Sequence, residues 1–146
     1  MTQSATTRRD TCIGSPLERI EDLRFLRGRG QYVDDLKRPG ALHAAVVRSA
    51  VAHGRLRAID VAAALAMPGV RAVITAADLH GGVPLIPVRA EAQGTLDHVR
   101  QPVIAHERVR YVGEPVALVV ADRAAQAEDA ANAVDVDIEA LPVVTG

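Results

Sequence analysis

The sequence predicts an α+β domain built on a mixed sheet, with its helices mostly on one side. Three observations predict it. The chain has 146 residues, 49% of them apolar, and a mean hydropathy of +0.10, so one domain with a real core is affordable without staples. The core must be made of small and β-branched residues, because 26 Ala and 20 Val stand against one Phe, two Tyr and no Trp. Such residues suit strands packed closely against alanine-faced helices. The punctuation of the chain then reads strand, strand, helix, strand, long loop, strand, helix, strand.

Residues 1–40 read as an arm and 41–146 as the globular domain. In the arm, Ser15-Pro16-Leu17-Glu18 has the makings of a helix start: Ser15 as N-cap, Pro16 at N1 and Glu18 completing a capping box. That helix cannot run far beyond Leu26, because Gly28 and Gly30 break it. Asp34-Asp35 and Pro39-Gly40 mark a loop. Arg19 to Gly40 is strongly charged with few apolar residues, which suits a segment lying along another surface.

Leu42 to Arg48 reads as a strand, and Arg55 to Ile59 alternates polar and apolar as a half-buried strand does. Asp60 is placed to cap a helix from Val61 to Ala66, stopped by Pro68-Gly69. Val70 to Thr75 is a third strand, with Thr75 capping a short turn through Asp78. Residues 80–108 carry Pro84, Pro87 and Pro102 without periodicity, and a loop so long is usually functional or an interface arm. Val116 to Ala121 is continuously apolar and predicts a central strand covered on both faces. Asp122 is placed to cap a helix from Arg123 to Ala133. Val134, Val136 and Ile138 then alternate with Asp135, Asp137 and Glu139, a strand with one buried face and one acidic, wet face.

Several function classes are weakened. The formal net charge is −1 and only three aromatic rings exist for base stacking, which disfavours a nucleic-acid module. The charge is uneven: residues 1–60 carry 11 basic and 7 acidic groups, residues 61–146 carry 6 and 11. Sixteen of the 17 basic residues are Arg, which reflects either carboxylate pairing at a protein interface or a genome rich in Arg and Ala codons. No stretch approaches the ~18–20 apolar residues of a membrane span. Met1 to Asp10 lacks the apolar run of a secretory leader, and Cys12 stands alone, so the expectation is a cytoplasmic protein without disulfides or a cysteine metal cage.

Little in the chain resembles catalytic machinery. The histidines at 43, 53, 80, 98 and 106 form no metal-binding spacing. Gly28-Arg29-Gly30 is half of a dinucleotide fingerprint, without its strand or third glycine. There is no phosphate-cradling loop and no nucleophile elbow. Glu114, between Gly113 and Pro115, is either a general base or a structural carboxylate paired with Arg110 or with a partner's basic surface. The missing nucleophile and metal favour the structural reading.

The segments Arg19-Ile20-Glu21-Asp22, Gly28 to Asp35, Arg48-Ser49 with Ala52-His53-Gly54-Arg55, Met67-Pro68-Gly69-Val70, and Val109 to Ala117 together resemble one family. This is the large, molybdenum-binding subunit of the molybdenum hydroxylases, the group of xanthine dehydrogenase, aldehyde oxidase and aerobic carbon monoxide dehydrogenase. The resemblance runs in order from residue 15 to about 143, with Ala50 where the family usually has proline. It implies an α/β hammerhead fold and the role of a scaffold or interface domain in an oxidoreductase. It also implies that molybdopterin, 2Fe-2S centres and FAD reside on partner domains or subunits, above all a molybdopterin-binding chain. The family's loops around molybdenum come later and have no counterpart here, so no catalytic, cofactor-binding or metal-ligating residue is assigned and the isolated chain is expected to be non-catalytic. Arg19, Asp22, Tyr32, Asp35, Arg110 and Glu114 are the candidate interface residues, with no nucleic acid or membrane expected. The alternative is a stand-alone binding module that reuses the fold without redox chemistry.

Overall fold

The strand Pro115–Ala121 (β5) is central, as its unbroken apolar run requires. In the computed structural model, which describes residues 16, 19–88 and 97–143, it pairs antiparallel with His43–Arg48 (β1) on one side and Val70–Thr75 (β3) on the other. Register places Ala45 and Val73 on either side of Val119. A second sheet has Gly54–Asp60 (β2) in the middle, flanked antiparallel by Arg108–Val109 (β4) and Asp135–Ala140 (β6). Odd strands thus make one sheet and even strands the other.

The α+β class is the one the sequence predicts, but two antiparallel sheets stand where it predicts one mixed sheet. Among the described residues, strands adjacent in sequence do not pair, although such neighbours usually do. The helix between β5 and β6 carries the chain from one sheet to the other instead of adding a parallel strand, so every described pairing is antiparallel.

Two helices cover one face of the first sheet. They are Ala62–Leu65 (α2) and Ala124–Asn132 (α3). Ala117, Val119 and Ala121 point at them and are fully buried, packed with Ala64 of α2 and with Ala127 and Ala130 of α3. Alanine on both sides allows this close approach. The opposite face is covered less than predicted: Val116 is buried, but Leu118 and Val120 are half-buried and Val46 is 39% exposed. Val116 instead joins Ala105, Val109, Leu56, Ile59, Val136 and Ile138 in a core shared by the two sheets.

Local capping follows the sequence at two positions and departs at a third. The Asp60 carboxylate accepts from the Ala62 N–H at 2.9 Å, opening α2. Thr75 Oγ1 accepts from the Ala77 N–H, and Asp78 accepts from the Thr75 N–H and hydroxyl. Asp122 does not cap α3. Arg71 takes both its oxygens, at 2.8 and 2.9 Å, and Arg123 occupies the N-cap position with no side-chain bond. In the long 80–108 segment, the residues described include a narrow antiparallel neck. Ile86 N–H donates to Gln101 and Val103 N–H to Pro84, with Leu85 bridged to Pro102.

The chain divides into two units, Met1–Pro39 and Gly40–Gly146; all of the above belongs to the second. In the first, the capping box at Ser15–Glu18 lies outside the described residues. The helix there is short, Asp22–Leu26 (α1), entered through an Arg19–Asp22 turn with no side-chain cap from Glu21. It ends in a Schellman motif: Gly28 N–H donates to Phe25 and Arg29 N–H to Arg24, with Gly28 at φ +65°.

Candidate functional site

The sharpest constellation in the second unit lies where its two sheets meet. After β4 the chain turns through Tyr111 to Gly113, and Gly113 adopts φ +91°, a left-handed conformation that suits glycine. That turn brings Glu114 back onto Arg110. Glu114 is fully buried, and both its oxygens are engaged: Oε2 accepts from the Arg110 backbone N–H at 2.5 Å and Oε1 from the Arg110 guanidinium at 3.1 Å. The same guanidinium donates to the Arg108 carbonyl at 3.0 Å.

Ser49, 4% exposed, completes the junction. Its N–H donates to the Glu114 carbonyl at 2.9 Å, its carbonyl accepts from the Gly113 N–H at 2.8 Å, and its hydroxyl bonds to the backbone of Val51. Arg48 donates to the Gly113 carbonyl at 2.9 Å. The end of β1, the end of β4 and the start of β5 are thereby tied together. Arg48 and Ser49 belong to the family-like segments, but nothing in the sequence by itself placed them against residue 113.

Of the two structural readings of Glu114, the pairing with Arg110 is the one observed. A carboxylate facing a partner's basic surface is not: Glu114 exposes nothing, so it cannot serve as an exposed interface group. The same engagement removes it as a general base, which needs a free oxygen within reach of a substrate proton. Arg110, with its side chain 38% exposed, remains at the surface.

The other candidate residues lie in the first unit. Tyr32 is 67% exposed and stacks on Phe25, with centroids 5.9 Å apart and planes 22° from parallel. Its N–H donates to the Asp35 carboxylate at 2.9 Å, which closes the turn Val33–Asp35. The Arg19 carbonyl accepts from the Asp22 N–H at 3.1 Å; both side chains are exposed. Arg24 sits 5.1 Å over the Phe25 ring and pairs with Glu21 at 2.8 Å. Gly30 is explained by the same ring, since a Cβ there would lie 2.7 Å from Phe25 Cδ1. Gly28 and Gly30 therefore serve a helix end and an aromatic contact. Around them Ile20, Leu26 and Val33 are 98, 84 and 82% exposed.

Two carboxylates in the second unit have clear electrostatic partners. Asp122 is held below the usual carboxylate range chiefly by its hydrogen bonds from Arg71, whose own pKa is raised by the same pairing. Asp78 is lowered by the N–H and hydroxyl of Thr75. Among the described residues no three His, Cys, Asp or Glu side chains gather where one metal ion could bind. The only buried carboxylate among those residues, Glu114, is already engaged, and no reaction step is assigned to them.

Two antiparallel three-stranded sheets linked by a buried latch, with helices on one side, define an α/β hammerhead domain. The chain belongs to the family described as "Aldehyde oxidase and xanthine dehydrogenase, a/b hammerhead domain", matched over residues 27–142. It is 46% identical over 132 residues to the nicotine 6-hydroxylase large subunit of Paenarthrobacter nicotinovorans, covering 90% of this chain and 16% of that one. It is 47% identical over 124 residues to the carbon monoxide dehydrogenase large chain of Hydrogenophaga pseudoflava, covering 85% and 15%. Its fold superposes on a crystal structure of the Cu,Mo-CO dehydrogenase in the carbon monoxide-reduced state with a TM-score of 0.74 at 40% identity, covering 91% and 16%. The chain thus spans only about a sixth of the length of these relatives.

Proposed function

We propose that this domain is the scaffold and interface element of a molybdenum hydroxylase, the part against which molybdopterin-binding domains assemble. Within such an enzyme, molybdopterin, 2Fe-2S centres and FAD sit on other domains or subunits. The assembled enzyme, cytoplasmic in this reading, hydroxylates an aldehyde or N-heterocycle carbon with oxygen from water. The observation that carries the reading is the match over nearly the whole chain to the corresponding part of large subunits from such enzymes. The chain's own residues contribute position: the Glu114–Arg110–Ser49 latch holds the two sheets at one angle, and the arm offers exposed apolar side chains to a neighbour. No helix among the described residues is long and apolar enough to cross a membrane.

The test is co-expression with a molybdopterin-binding polypeptide of this family, followed by affinity co-purification and hydroxylase assay. The expected result is a stoichiometric complex whose activity is absent from either component alone. Failure to associate, with the chain folded, would favour the stand-alone binding module instead.

A further inference from the structure

The register of the second sheet sets two arginines directly opposite one another: Arg55 of β2 faces Arg108 of β4. Like charges directly opposite one another in a sheet are destabilising. Here the neighbours have carboxylate partners and these two do not. Arg110 has Glu114, and Arg57 is paired with Glu139, the residue that faces Arg55 across the other side of β2. Among the described residues, neither Arg55 nor Arg108 has a side-chain partner, and both are exposed. They open onto a hollow of about 530 Å³ that is also lined by Leu56, His106, Glu107 and Arg110. The one acidic side chain there, Glu107, is 84% exposed and lies 4.0 Å from His106.

We propose that Arg55 and Arg108 are a docking site for a carboxylate-bearing segment of a partner polypeptide. Two adjacent guanidinium forks match two carboxylates, or one held from both sides, and give directional hydrogen bonds that a lysine pair would not. A passing segment of two or three acidic residues neutralises the repulsion that the isolated sheet retains. The proposal rests on the scaffold reading only for the identity of the partner.

The probe is a fluorescein-labelled hexaglutamate peptide, titrated by anisotropy into the 146-residue chain at low salt. The expected result is saturable binding that weakens steeply as salt rises. Arg55→Gln/Arg108→Gln should weaken it at least about tenfold, while Arg71→Gln, on the other sheet, should leave it unchanged. Arg108→Glu should abolish binding and raise the melting temperature by about 1–4 °C, because Arg55 then gains its missing partner. That pairing of lost binding with gained stability is not what a merely structural arginine would show. Binding that survives in the double Gln variant overturns the proposal, as does preferential binding of inorganic phosphate or a short DNA duplex. Co-purification separates this from the scaffold reading. A molybdopterin-binding polypeptide that still associates normally with the double variant overturns the docking site alone. Peptide binding without any such association overturns the scaffold reading alone.

Discussion

Glu114 and Arg110 are joined twice, once through the Arg110 backbone N–H and once through its guanidinium, and the carboxylate that makes both contacts is wholly buried. The first contact orients the peptide where β4 ends; the second compensates the charge. A buried carboxylate with one partner side chain depends on that partner far more than the partner, which reaches solvent, depends on it.

Glu114→Gln should therefore lower stability by about 1–3 kcal/mol, since the amide cannot accept at both positions and turns a donor toward one of the two donors. Arg110→Ala should cost more than Glu114→Ala, because it leaves a buried carboxylate with no compensating charge, whereas removing the carboxylate leaves a guanidinium that reaches solvent. Chemical denaturation of the three variants checks the order. A smaller loss for Arg110→Ala than for Glu114→Ala would mean that the backbone N–H, and not the guanidinium, carries the contact.

Acid should weaken the domain through Asp78 and Asp122. Both have folded-state pKa values below the unfolded value of about 4. Their contribution is therefore complete above that value and lost as pH falls through it toward the folded pKa. Asp78→Asn and Asp122→Asn should each destabilise at pH 7 and differ less from the parent near pH 3. Urea melts at the two pH values measure it. The effect is expected to be modest at Asp122, because its side chain and that of Arg71 are 38% and 61% exposed.

Elements were legible in the sequence where a single local pattern decides them. Val116 to Ala121 announces a central strand by apolar continuity, and Thr75 announces its turn by an oxygen two residues before an open N–H. What stayed hidden depends on contacts distant in sequence. The two-sheet division requires knowing that α3 carries the chain across rather than back. Asp122 looks like a helix cap until Arg71, 51 residues away, takes both its oxygens. The sequence left Glu114 between a general base and a structural carboxylate, because the proline that follows it fixes the direction of the chain but not what lies over the side chain. The cross-strand meeting of Arg55 and Arg108 is invisible without the register.

Gly54 leaves no room for a side chain in the second sheet. A Cβ there would lie 2.3 Å from Ile138 Cγ2 and 2.9 Å from the Glu139 carbonyl oxygen. The side chain could turn aside, but the backbone oxygen belongs to the β2–β6 ladder and cannot. Gly54→Ala should cost about 1–3 kcal/mol, as overpacking generally does. Amide exchange should quicken first at residues 54–56 and 138–140, which pair there. Unchanged exchange would show that β6 shifts without loosening.

The arm is the remaining point of leverage on assembly. In the first unit Arg19, Arg24, Arg27 and Arg29 are all exposed, and α1 buries no residue of its own. Ordering each residue there costs about 1–2 kcal/mol of backbone entropy, which a five-residue helix without a buried face does not offset. Limited trypsin digestion of the isolated chain should cut among these four arginines before it cuts within Gly40–Gly146. Adding the molybdopterin-binding polypeptide should protect them, because Ile20, Leu26 and Val33 then bury side chains that now face water. Protection in the isolated chain would instead mean that the arm is held without a partner, and its role as a docking segment would have to be given up. Cleavage that continues unchanged in an otherwise stable complex would move the interface to the globular unit and leave the arm outside it.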